Sequence, residues 1–265
     1  MKNRRDGVIY FLTIIIFIVI LALAACSGPP ATEDQPEEPA PAEAAEDPPE
    51  AETPPTVAVQ TDPILSPEEA GIAENQDSII ALVNKNSHLT EDYIPADLEY
   101  VDIPFSFSER VEKRMLRHEA AVALAELVAA AKEAGLNIYG VSGYRSYNTQ
   151  VSIFNYNVGR FGGEEAANRI SARPGESEHQ TGLVMDVSTA AVNYTLEQSF
   201  DQTPEYAFIR DNAHNYGFVV RYPNGKEDIT GYMYEPWHLR YFGPELATVL
   251  YEAGQTYEEY LKDLQ

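Results

Sequence analysis

Asp186 sits inside an apolar, strand-like run, Leu183-Val184-Met185-Asp186-Val187. Burying a lone carboxylate in such a run is costly unless a cation or strong donors meet it. His179 lies seven residues upstream, and Gly182 between them permits a sharp turn. A histidine and a buried aspartate brought together suit a metal ion. Taken alone, the same pair could be a hydrogen-bonded histidine and an aspartate held by an arginine. A second block, Glu235-Pro236-Trp237-His238-Leu239-Arg240-Tyr241, extends the argument. Pro236 biases Glu235 toward extended backbone. Strand alternation then puts His238 and Arg240 on one face, and Leu239 and Tyr241 on the other. His238 can supply a third ligand. Two histidines and one aspartate leave the fourth position of a tetrahedral zinc ion open, as catalysis requires. Glu235 would then be free to take a proton from a water held there. Trp237 is the only tryptophan in the chain, and core packing is its simplest role. The third block is Ser142-Gly143-Tyr144-Arg145-Ser146-Tyr147-Asn148-Thr149-Gln150. Arg145 there could stabilise a developing oxyanion, clamp a carboxylate, or lie on the surface.

These blocks need elements to position them. Apolar residues at helical spacing (Leu116, Ala120, Ala123, Leu124, Leu127, Ala131) predict an amphipathic helix over 114–132, ended by Gly135. A short strand follows at 137–142, so Arg145 falls at a strand–helix junction. The next helix runs from Tyr147 to Phe161 and stops at Gly162-Gly163; a shorter one is expected over 164–171. Residues 183–187 are β-rich. Pro204 opens a helix reaching about Tyr216. Strands are expected over 217–221 and 238–242, and two C-terminal helices start at Pro244 and Thr256. The fold class is therefore α+β: a small antiparallel sheet flanked by helices. Three histidines (His88, His118, His214) fall outside the three blocks and are expected to be ordinary. Arg173-Pro174-Gly175 reads as a turn that positions the His179 loop, or puts Arg173 near substrate. Glu258-Glu259 reads as a solvated helix face.

Together the blocks resemble the VanY-type D-alanyl-D-alanine carboxypeptidases, within the wider group of lysostaphin-type peptidases and the hedgehog signalling domain. The likeness rests on Ser-x-His-x-x-Gly-x-x-x-Asp (177–186) and Glu-x-Trp-His-x-Arg-Tyr (235–241). It is supported by Ser142-Gly143-Tyr144-Arg145-Ser146 and by Leu82-Val83-Asn84-Lys85 with Asp92-Tyr93, Pro95 and Asp97-Leu98. It runs from about residue 80 to about residue 250. The resemblance implies a zinc site in a cleft on the sheet, with Zn2+ held by His179, Asp186 and His238. Glu235 would be the general base that later protonates the leaving amine, and Arg145 would hold the oxyanion. Ser177 and Gln150 match positions lining the substrate pocket; Tyr144, Trp237 and Tyr241 match positions near the cleft. Val184-Met185 stands where relatives often carry smaller residues, a difference expected to affect packing more than chemistry. The implied reaction is removal of the terminal D-alanine from peptidoglycan stem peptides without a covalent enzyme intermediate. An L,D-carboxypeptidase acting on tetrapeptide stems is the nearest alternative. A zinc-stabilised cell-wall binding module without hydrolysis is the alternative from another class.

Composition sets the surroundings. The 265 residues carry 18 Lys+Arg against 42 Asp+Glu, a formal charge of −24. Nucleic acid is excluded as a partner, because neutralising phosphates requires a basic face. No Lys or Arg occurs between Arg5 and Lys85, so much of the acid belongs to a tail. Lys2, Arg4 and Arg5 precede an almost wholly apolar stretch, Val8 to Ala25, and then Leu23-Ala24-Ala25-Cys26-Ser27-Gly28. This has the form of an export signal, and the small residues before the chain's one cysteine resemble a bacterial lipobox. Residues 1–25 are expected to be a lipoprotein signal peptide, with Cys26 lipidated. An uncleaved membrane helix is the alternative. Residues 26–71, rich in Pro, Glu and Ala, are expected to form a disordered acidic spacer, and residues 72–265 the catalytic domain. A monomer anchored through Cys26 to the extracellular face of the cytoplasmic membrane is the expected arrangement.

Overall fold

The computed structural model describes residues 75–264. The apolar N-terminal stretch, Cys26 and the acidic spacer lie outside them. Among the described residues no helix is long and apolar enough to cross a membrane.

Two short strands come first, β1 (Leu98–Tyr100) and β2 (Met115–Arg117), paired antiparallel. Helix α1 (His118–Glu133) follows directly. The helical periodicity thus starts four residues later than expected, because Met115–Arg117 is drawn into pairing with a segment far back in the chain. Then come β3 (Tyr139–Ser142), α2 (Tyr147–Phe161), α3 (Glu164–Ala167), β4 (Val184–Ser188) and α4 (Pro204–Asn212). The chain closes with β5 (Phe218–Tyr222), α5 (Glu227–Thr230), β6 (Glu235–Tyr241), α6 (Pro244–Ala253) and α7 (Tyr257–Asp263). Helix α2 occupies the expected span: the Ser146 hydroxyl caps its start, and Gly162 ends it at φ +80°.

The main sheet has the order β3-β4-β6-β5 and is antiparallel throughout. One face carries Met185, Val187 and Leu239, packed against Ala120, Leu124 and Leu127 of α1 in a continuous apolar core. A smaller core joins Phe242, Leu246 and Leu250 to Tyr257 and Tyr260 of the C-terminal helices. The α+β expectation, a small antiparallel sheet flanked by helices, therefore holds. Two differences are local. The turn over 164–171 is helical only to Ala167, and the run after Pro204 changes to a 3-10 turn at Ala213 before Gly217.

The opposite face of the sheet is polar yet buried. Arg221 and Arg240 are fully enclosed, and both meet Oε1 of the enclosed Glu178, from Nε at 2.8 Å and from Nη1 at 3.0 Å. Arg240 also donates to the carbonyls of Ile79, Ala81 and Tyr241. The Arg221 guanidinium reaches on to Glu258 of α7 at 2.6 and 2.7 Å. This corrects the expectation of a solvated Glu258-Glu259 face. An arginine buried in β5 needs a second anion and takes it from α7, while Glu259 closes the Thr256 capping box and pairs with Lys226. Burial opposes charge on Glu178 and Glu258, but the arginines win and hold both carboxyls below their ordinary value of 4.5. Removing one partner strands buried charge. Arg221→Leu should cost about 3–5 kcal/mol of stability, read from urea unfolding. Because both folded pKa values are depressed, their contribution is complete above about pH 4.5 and is lost as the pH falls below it. The wild-type advantage over the variant should shrink in acid; a cost that stays constant with pH would remove this cluster as its source.

Candidate active site

Three strands bring the central residues together. Across the sheet, Ser142 of β3, Asp186 of β4 and His238 of β6 stand in register. Asp186 is placed on the face opposite Met185 and Val187 by alternation. His179 arrives from a single 3-10 turn, Glu178–Thr181, that ends at Gly182 with φ +68°. A Cβ at Gly182 would sit 2.7 Å from Leu98 Cδ2 and 3.1 Å from Arg117 Cγ, so both the turn and the close passage beneath β1 and β2 require glycine. Gly143 is pinned in the same way between the Met115 carbonyl and the Met185 methyl group. Its carbonyl accepts from His179 Nδ1 at 2.7 Å. A carbonyl can only accept, so the proton lies on Nδ1 and Nε2 offers its lone pair to the interior of the site.

The ligand atoms of His179, Asp186 and His238 all lie within 4.8 Å of one another, and all three residues are buried. His179 Nε2 is 3.4 Å from Asp186 Oδ2, and His238 Nδ1 is 3.3 Å from Asp186 Oδ1. Ligands about 2.0–2.1 Å from a tetrahedral zinc ion stand roughly 3.3 Å apart, so these spacings fit. Asp186 Oδ1 has no hydrogen-bond partner among the described residues, another sign that a cation belongs there. Burial and then Arg145 push the His179 pKa down to about 3, which keeps this ligand neutral. Burial opposes the Asp186 anion, but His179, His238 and Arg145 hold its pKa below the ordinary value. Burial likewise opposes charge on His238, yet Asp186, Glu178 and Glu235 raise its pKa well above that of a free imidazole, and a metal ion at Nδ1 would have to displace that proton.

Glu235 reaches this cluster through an irregularity. Strict alternation along β6 would turn Glu235 away from His238, three residues on. Between Tyr222↔Glu235 and Val220↔Leu239, however, β5 has one intervening residue and β6 has three, so β6 bulges. The bulge carries Glu235 Oε2 to 3.4 Å from His238 Nδ1. Burial raises the Glu235 pKa, and His238 partly offsets the rise. Arg145 lies across the cluster, with Nη2 3.9 Å from Asp186 Oδ2. Gln150 Oε1 accepts from its Nη1 at 2.8 Å, and Ser142 Oγ from its Nη2 at 3.3 Å.

The cluster forms the floor of a cleft of about 640 Å³. Helix α2 contributes Ile153, Asn157, Arg160 and Phe161 to its lining, and Leu196 and Met233 line it as well. Ser177 and Trp237 line the cleft. Gln150, Tyr144 and Tyr241 are buried and are not among the lining residues. Gln150 holds Arg145 and donates to the Ala172 carbonyl; Tyr144 is buried, its backbone N–H donating to the Met115 carbonyl at 2.8 Å; the Tyr241 ring packs edge-on against Phe218 on the core face. Arg173 pairs with the exposed Glu164 at 3.3 Å. Two site residues had no sequence reading. Tyr222 lies over the His238 ring at 4.7 Å, and Glu178 stands behind it. The available signal for Glu178 was a pair of arginines, Arg221 and Arg240, inside apolar strands with no sequence-local anion.

Comparison with known proteins agrees with this geometry. A family model described as VanY, D-alanyl-D-alanine carboxypeptidase, matches residues 113–244. The putative carboxypeptidase YodJ of Bacillus subtilis is 47% identical over 192 residues, covering 72% of this chain and 70% of its own length. A D-alanyl-D-alanine carboxypeptidase of Enterococcus faecalis is 32% identical, covering 71% and 67%. Among solved structures, the LdcB LD-carboxypeptidase matches with a TM-score of 0.70 at 47% identity, over 72% of this chain and 89% of that one. A Zn(II) complex of the vancomycin-resistance D,D-pentapeptidase VanY matches with a TM-score of 0.58 at 32% identity, over 70% and 99%. With this fold and a His-Asp-His set suited to zinc, the chain belongs to the VanY family of carboxypeptidases.

Proposed function

We propose that this protein is a zinc-dependent carboxypeptidase that removes the C-terminal D-alanine from peptidoglycan stem peptides. The observation that carries the reading is Glu235 beside the His179–Asp186–His238 set, on the floor of an open cleft with Arg145 facing it. Zinc held there supplies a Lewis acid that polarises the scissile carbonyl and acidifies water. Glu235 accepts the proton of the attacking water on its carboxylate and passes it to the leaving amine. Arg145, fixed by Gln150 and Ser142, donates to the oxygen on which negative charge develops. Ser177 and Trp237 form part of the surface that receives the peptide.

Two bonds compete. The likeness to the LdcB LD-carboxypeptidase, at 47% identity, favours cleavage of the tetrapeptide stem, and we put this activity first. The family model and the Enterococcus faecalis relative favour cleavage of the pentapeptide. Mass spectrometry of defined muropeptides should show loss of one alanine, abolished by a chelator and restored by zinc. Loss from the tetrapeptide assigns the L,D class, and loss from the pentapeptide the D,D class. A zinc-loaded, folded protein that cleaves neither would leave the non-hydrolytic binding module.

We further propose that residues 1–25 are a cleaved export signal, Cys26 a lipid-bearing N-terminus, residues 26–71 a spacer, and residues 72–265 the catalytic domain. This arrangement holds the enzyme at the extracellular membrane face, where nascent stem peptides lie. In a bacterial host, an alkyne fatty acid should label the wild type and not Cys26→Ala, and the variant should leave the membrane fraction. Labelling that survives the substitution would place the anchor elsewhere.

A further inference from the structure

Behind the site, two buried polar atoms face each other without satisfying one another. Glu178 Oε2 and His238 Nε2 each lack a hydrogen-bond partner among the described residues, and they stand 3.6 Å apart. Glu178 is fully enclosed, so bulk solvent cannot satisfy Oε2. Its other oxygen is already committed to Arg221 and Arg240. We propose that Glu178 is a positioning residue: its carboxylate, locked by Arg221 and Arg240, accepts from His238 Nε2–H and so turns the Nδ1 lone pair toward His179 and Asp186. The two histidines would then use opposite nitrogens. The Gly143 carbonyl keeps the proton of His179 on Nδ1, and Glu178 keeps that of His238 on Nε2. The 3.6 Å separation must shorten to hydrogen-bond length for this contact to form. Glu258 enters at one remove. It grips Arg221 from α7 and so ties the C-terminal helix to the orientation of a metal ligand more than fifty residues from any other.

The inference rests on His179, Asp186 and His238 being the zinc site, and its test separates the two claims. Zinc affinity is measured by competition with a chromophoric chelator for the wild type, Glu178→Gln, Glu178→Asp and Arg240→Gln, each checked for folding by circular dichroism. Glu178→Gln should bind zinc 10–100-fold more weakly, the usual cost of losing a partner that orients a metal ligand. Arg240→Gln breaks the same buried cluster but leaves the carboxylate facing His238, so it should lose stability and keep affinity within a few-fold. Glu178→Asp, which keeps the charge, should fall between them. Equal affinities in the wild type and Glu178→Gln would overturn the positioning role. No zinc binding by the wild type would overturn the site itself. If Glu178→Gln does not fold, the wild type still decides. Nitrogen-15 spectra of the zinc-loaded protein should show a slowly exchanging, strongly downfield Nε2–H on His238, and an ordinary fast-exchanging proton would sink the proposal.

Discussion

Glu235→Gln should lower kcat by roughly 10²–10⁴-fold, the range for a positioned general base, and leave zinc affinity nearly unchanged. Glutamine preserves the size of the side chain and its packing on the β6 bulge, but it cannot take a proton. The side chain is 14% exposed and stands 3.4 Å from His238 Nδ1, beside the metal position without being one of the three ligands. Burial lifts its pKa, which brings its basicity closer to that of the water it must deprotonate. The role falls in the transition state, so KM should barely move while kcat and kcat/KM fall together. Steady-state kinetics on the cleaved muropeptide, with a zinc titration alongside, provides the check. A variant keeping more than about a tenth of wild-type kcat would remove Glu235 from proton transfer.

His179→Ala should abolish activity at stoichiometric zinc for a different reason. A closed four-ligand zinc site is worth about 10–16 kcal/mol, so one ligand accounts for a few kcal/mol, or a loss of roughly 10²–10³-fold in affinity. The wild type should gain about 2.7 kcal/mol of apparent stability at a zinc concentration 100 times its Kd, and the variant much less at the same concentration. Thermal melts across a zinc series distinguish the outcomes. Parallel curves for the two proteins would mean that His179 does not hold the ion.

Local chemistry made much of the fold legible. Ser146 and Gly162 bracket α2, Pro204 opens α4, and the Thr256 box starts α7, each acting within a few residues of itself. The three candidate ligands were legible because a carboxylate in an apolar run and a histidine alternating along a strand each demand an explanation. Long-range demands were not. Met115–Arg117 looks like the first turn of a helix until Leu98–Tyr100 pairs with it. The bulge in β6 depends on the register with β5, which no property of 235–241 announces beyond Pro236. Gln150, matched to the substrate pocket, instead braces Arg145, since the direction of a side chain in the first turn of α2 is settled by what packs around it. The second anion of β5's arginine comes from α7, dozens of residues away, and acidic residues of a late helix read as solvated until that arginine is placed.

The register between β4 and β6 has a mechanical side. Asp186 and His238 are direct cross-strand partners at the centre of the sheet, and β6 is flanked by β4 and β5. An ion held by both would act as a staple across the two middle strands, and His179 would fasten the preceding loop to the same point. Pulling the strands apart must break coordination bonds along with backbone hydrogen bonds. Rupture of the sheet at that point would therefore carry release of the ion with it. With the ion bound, the two middle strands should therefore part more slowly than in the metal-free protein.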